Sequence, residues 1–92
     1  MAESLKDKIV HAVTAATGSN ATVVIDEVDG GRYAGYVLWP GFANSSPSER
    51  QDRIWERLDA ELSKVERTRI SFIIADTAEE YESIRQASHD GA

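Results

Sequence analysis

Hydrophobic residues recur along the chain with two different periods. Leu5, Ile9, Ala12, Val13 and Ala16 fall at helical spacing. Gly18 follows, a residue able to close a helix in a left-handed turn. The spacing predicts a first helix over roughly Glu3 to Thr17. The period then shortens. Thr22 to Val28 reads TVVIDEV and Arg32 to Trp39 reads RYAGYVLW, both rich in β-branched or aromatic residues. The intervening DGG supplies positive φ angles at little cost, so the two runs predict an antiparallel hairpin. Pro40 lacks an amide hydrogen and Gly41 is flexible, which ends the second strand.

The helical period returns at Ser46. Its hydroxyl can accept from the Glu49 amide while Glu49 reaches back, and Pro47 fills the first helical position, where no donor is needed. Ile54, Trp55, Leu58, Leu62 and Val65 form the stripe expected to be buried, so this helix is expected to run to about Val65. RISFIIA, Arg69 to Ala75, predicts a third strand. TAEE at Thr77 to Glu80 is a second capping box, opening a short final helix with Tyr81 and Ile84. The tail from about residue 86 is expected to be loose.

The predicted order is α-β-β-α-β-α in one domain of the α+β class. The long crossover makes the third strand parallel to the second. A three-stranded mixed sheet with its helices on one face closes the fold. Strict alternation puts Ile70, Phe72 and Ile74 opposite Ser71, Ile73 and Ala75, and Tyr33, Val37 and Trp39 opposite Ala34, Tyr36 and Leu38. Either choice of inward set leaves apolar side chains on the outer face. That face is therefore expected to be an interface, most simply in a homodimer, with Tyr36, Phe72 and Ile74 as its candidate residues.

Composition narrows the chemistry. The 92 residues contain no cysteine, which removes disulfides, thiol catalysis and thiolate metal sites. The opening MAESLKDKIVHAV is charged and amphipathic, so neither a signal peptide nor a membrane span is expected and the cytoplasm is the default compartment. The formal net charge of −6 disfavours nucleic acid unless basic residues are segregated.

One helix face does segregate them. Arg50, Arg53, Arg57 and Lys64 fall within about one sixth of the circumference, between the apolar stripe and a flank of Glu49, Asp52, Glu56 and Asp59. This is either a solvated surface laced with ion pairs or a docking surface. Other constellations are weaker. His11 and His89 lack a second ligand at metal spacing, and Asp26, Glu27 and Asp29 read as a solvated turn. Ser45, Ser46 and Ser48 have no nearby histidine to activate them. No GxxG nucleic-acid loop is present. With no titratable pair in evidence, no catalytic activity is expected.

Phe42, Ser46, Arg50, Leu58 and Leu62, followed by TAEEY at Thr77 to Tyr81, resemble the BolA family in spacing, and the resemblance extends over roughly Leu5 to Ile84. It implies a KH-like α+β fold. It also implies one of two roles: pairing with a monothiol glutaredoxin around an iron–sulfur cluster, or DNA-binding regulation. The family's cluster histidine near the third strand corresponds to Arg69, and the family's Arg-His pair corresponds to Arg50-Gln51. The loop DGGR offers no Cys or His, and Asn44 stands where the family has a glycine. Arginine has no lone pair for iron. The function expected is therefore a non-catalytic BolA-like interaction or regulatory module without a cofactor. Arg50, Gln51, Arg53, Arg57 and Arg69 are its candidate partner-binding residues. The alternatives are iron–sulfur trafficking with a glutaredoxin and DNA regulation through the arginine helix.

Overall fold

Ser4 starts the first helix, α1 (Leu5–Ala16), by accepting from the Asp7 amide at 3.1 Å. Ile9, Ala12, Val13 and Ala16 are its buried face. Gly18 does not adopt the left-handed turn expected of it. The helix instead closes on Thr17, whose hydroxyl donates to the Val13 carbonyl at 3.0 Å and whose amide donates to Thr14 at 3.2 Å. The structure, a computed structural model, describes the backbone of residues 4–90 and the side chains of residues 4–85.

Strands β1 (Thr22–Val28) and β2 (Arg32–Leu38) form the antiparallel hairpin, with Thr22 opposite Leu38 and Val28 opposite Arg32. Its turn has Gly30 at φ 77° and Gly31 at φ 74°, values that favour glycine. Within β2, a Cβ at Gly35 would overlap the Val24 carbonyl oxygen, so only glycine fits there. Strand β3 (Ile70–Asp76) lies parallel to β2, giving the order β1-β2-β3.

β3 contains an irregularity that strict alternation cannot foresee. Tyr33 lies opposite Ile70, but the next residue, Ala34, lies opposite Phe72, so Ser71 is an extra residue. Ile70, Ile73 and Ala75 consequently share the core face, while Phe72 and Ile74 lie on the other. This corrects the expectation that Ile70 shares a face with Phe72.

After a 3-10 turn at Pro40–Asn44, Ser46 and Glu49 form the expected capping box at the head of α2 (Pro47–Glu61). This helix stops before Val65. Leu62 has extended angles (φ −116°, ψ 148°), and Ser63 begins a new capping box with Glu66, opening α3 (Lys64–Arg67). The break keeps Leu62 in the core but leaves Val65 74% exposed, so Val65 does not belong to the buried stripe. Lys64 likewise leaves the arginine face. The last helix, α4 (Ala78–Asp90), is longer than the short one expected. Its backbone carries residues 86–90 of the tail expected to be loose; residues 91 and 92 lie outside the described part.

Ile9, Val13, Val37, Phe42, Ile54 and Leu58 are the largest fully buried side chains. α1 and α2 supply the helical half of this core, and Trp55 sits half-buried at its margin. α4 is placed differently: its Tyr81 stacks on Tyr36 with ring centroids 4.8 Å apart. Tyr36 pairs with Val24 and Ile74 on the face away from the core. Among the described residues no helix is long and apolar enough to cross a membrane.

Candidate functional site

The arginines bind the fold together. Arg50 is 7% exposed. Its guanidinium donates to the Phe42 carbonyl at 2.8 Å, to the Ser45 and Ala75 carbonyls at 3.1 Å each, and to both Glu80 oxygens at 2.7 and 3.1 Å. A guanidinium is suited to this role because it carries five donors in a fixed plane and stays charged. The Glu80 hydrogen bond pushes the Arg50 pKa further up. In return, Arg50, and secondarily the Thr77 amide, hold the Glu80 carboxyl down to about 2. Asp76, 3.7 Å from Arg50, moves the other way because burial and then Glu80 disfavour its charge. Arg50 is therefore turned inward and does not belong to an exposed basic stripe.

Its neighbours are engaged as well. Arg53 donates to the Ala16 carbonyl at 2.7 Å, covering the end of α1, and lies over the Trp39 ring at 5.0 Å. Trp39 in turn donates to Asn20 and packs edge-on against Phe42. Arg57 pairs with Glu61 one turn on at 2.9 Å, and Glu61 also meets His11 at 2.9 Å. The His11 contact, more than Arg57, lowers the Glu61 pKa. Arg69 donates twice to the Gly31 carbonyl, at 2.9 and 2.7 Å, tying β3 to the hairpin turn, and lies over Tyr33. Gln51 donates to the Ile73 carbonyl at 2.8 Å. Asn44 keeps a negative φ, so its tolerance of left-handed angles is not used.

The other surface is the sheet face turned away from α1 and α2. Three rows cross it: Asp26, Ala34 and Phe72; Val24, Tyr36 and Ile74; Thr22, Leu38 and Asp76. Phe72 is 54% exposed and Ile74 42%. Tyr81 from α4 covers part of Tyr36, and Ile84 one turn further on is 58% exposed. The structure thus brings Tyr36, Phe72 and Ile74 together on one face and disperses the five partner-binding candidates among caps and clamps. The sequence reading missed Glu80 as the partner of Arg50, because TAEE was read as a cap alone. Glu80 serves both purposes: its carboxylate accepts from the Thr77 amide at 2.8 Å as well as from Arg50.

Among the described residues no group of three or more acidic or histidine side chains could hold a metal ion. The His89 side chain lies outside them. No protein-family model, curated protein or solved structure matches the chain.

Proposed function

We propose that the chain is a non-catalytic, BolA-like protein-interaction module that docks on the apolar surface of another protein through the part of the outer sheet face that α4 leaves open. The observation that carries this reading is the exposure of Phe72 and Ile74 on the sheet face that also carries the Tyr36–Tyr81 stack. A contiguous apolar patch of this kind on a small domain marks an interaction surface.

The residues behind the BolA likeness support a shared scaffold. Phe42, Leu58 and Leu62 are core, Ser46 is a helix cap, and Arg50 is a buried clamp. The positions that would have to serve an iron–sulfur cluster are Arg69 and Gln51, and both already donate to backbone carbonyls. Of the arginines needed for DNA, Arg50 and Arg53 also donate to backbone carbonyls, and Arg57 pairs with Glu61. Geometry therefore favours apolar docking over either alternative. A second copy is a weaker occupant than a different protein, because each copy carries a net charge of −6.

The test places photoreactive benzoylphenylalanine at Phe72 in the native host, identifies the cross-linked protein and reconstitutes the purified pair. A saturable complex that is lost in Ile74→Lys, with the melting temperature unchanged, supports the reading. A purified complex equally tight with Ile74→Lys overturns it. A monothiol glutaredoxin is the first purified candidate to titrate. A cluster-dependent complex insensitive to Ile74→Lys would replace this reading with the trafficking one.

A further inference from the structure

The two edges of the sheet are treated differently. Tyr33 donates its amide to Arg69 and Trp39 to Asp76, so the odd-numbered residues of β2 point their backbone groups at β3. The even-numbered residues of β2 then face β1, opposite Thr22, Val24, Asp26 and Val28. Parity leaves Ile73 and Ala75 pointing outward on β3, and Val23, Ile25 and Glu27 pointing outward on β1.

On β3 the outward carbonyls are covered. Ile73 accepts from Gln51 and Ala75 from Arg50. On β1 no described residue supplies a hydrogen bond to the outward groups of Val23, Ile25 or Glu27. Proteins usually blunt such an edge, because unpaired amides and carbonyls template another strand. Here one edge is blunted and the other is left with three N–H and three C=O groups in register.

Charge selects the strand that would fit. Asp26, Glu27 and Asp29 cluster at the far end of β1, and none forms an ion pair among the described residues. Arg32, opposite Val28, is the one cation on the paired strand at that end. A second copy of this chain would bring another acidic β1 and another net charge of −6 to the same edge.

We propose that the outer edge of β1 takes an extended basic peptide as a fourth, hydrogen-bonded strand, independently of the apolar sheet face. Main-chain pairing would supply the affinity, and lysine or arginine at alternate positions, facing Asp26 or Glu27, the selectivity.

The experiment titrates the full chain with a synthetic peptide of alternating lysine and valine and follows backbone amides by NMR. Slowed exchange at the amides of Val23, Ile25 and Glu27, and weakening at least tenfold for the same peptide N-methylated at alternate residues, are expected. Asp26→Lys should weaken binding by a similar factor, as should exchanging the peptide's lysines for glutamates. Glu27→Pro removes an outward donor without touching the β1–β2 ladder and should reduce binding further. Because the N-methylated peptide leaves the protein unaltered, the test holds even if Glu27→Pro fails to fold. Absence of binding at millimolar peptide overturns the proposal, as does binding indifferent to N-methylation. Protection of Phe72 and Ile74 in place of the β1 amides also overturns it. Self-association that protects Val23, Ile25 and Glu27 without peptide would make a second copy the occupant and refute the basic one.

Discussion

Truncating Arg50 tests the assignment of the arginines to the interior. In Arg50→Ala the Phe42 and Ala75 carbonyls lose donors at 2.8 and 3.1 Å, and both of these bonds are buried. A buried acceptor left unsatisfied costs about 1–3 kcal/mol, so the pair accounts for roughly 2–6 kcal/mol. A shallow groove between Pro47 and Ile84 runs over this site, and water entering it would re-solvate part of what is exposed. That places the expected loss near the lower half of the range, about 3 kcal/mol. The Glu80 contact adds little to it, because the Glu80 side chain is 44% exposed and can rehydrate. For a domain with about 5–15 kcal/mol of stability, the loss is a large fraction. The internal control is Arg57→Ala, which removes a half-exposed pair with Glu61 and should cost no more than ~0.5 kcal/mol. Urea denaturation of the wild type and both variants, with slopes compared, measures the difference. Arg50→Ala within 1 kcal/mol of the wild type would refute the reasoning, and so would Arg57→Ala costing as much as Arg50→Ala.

Further outcomes follow from the packing and the caps. Leu58→Ala, at a fully buried site, should cost roughly 2–5 kcal/mol, against about 1 kcal/mol for Ser46→Ala, and chemical denaturation can reverse that order. Gly35→Ala should disrupt the hairpin, since its Cβ would meet the Val24 carbonyl oxygen; an unchanged melting temperature would contradict the close approach. Acid should also destabilise the fold. Arg50 holds Glu80 at about 2, and Lys8 with the Ser63 amide holds Glu66 at about 2. Both values lie below the ordinary glutamate range, so the unfolded chain binds more protons. Their contribution is present above about pH 4.5 and is lost as the pH falls toward 2. Glu80→Gln and Glu66→Gln should flatten that acid limb in pH-dependent melting.

The elements that declare themselves locally were legible. Ser46 with Glu49, Thr77 with Glu80 and the DGG turn each carry their signal within four residues, and each forms as expected. The break in α2 was legible in principle: Ser63 and Glu66 repeat the Ser46–Glu49 pattern, but the apolar period running on to Val65 masked it. The burial of Arg50 could not be read locally. Arginine is ordinarily exposed, and the partner that compensates its charge lies 30 residues away. The extra residue at Ser71 was equally hidden, since Ile70 and Phe72 suit either face, and only pairing with β2 decides between them. Of the candidate site residues, Tyr36, Phe72 and Ile74 lie together because period-2 alternation holds beyond the bulge. The basic stripe dissolved because each arginine found a carbonyl or carboxylate supplied by another part of the chain or, for Arg57, by the next helical turn.

The central claim is that the face carrying Phe72 and Ile74 is a docking surface. The most direct test is the affinity of the purified partner identified through position 72, measured against the wild type, Phe72→Lys and Arg57→Ala, each first shown to melt as the wild type does. The account predicts a loss of at least tenfold for Phe72→Lys and none for Arg57→Ala. Undiminished binding by Phe72→Lys, together with a loss in Arg57→Ala, would contradict it and return the function to the arginine helix.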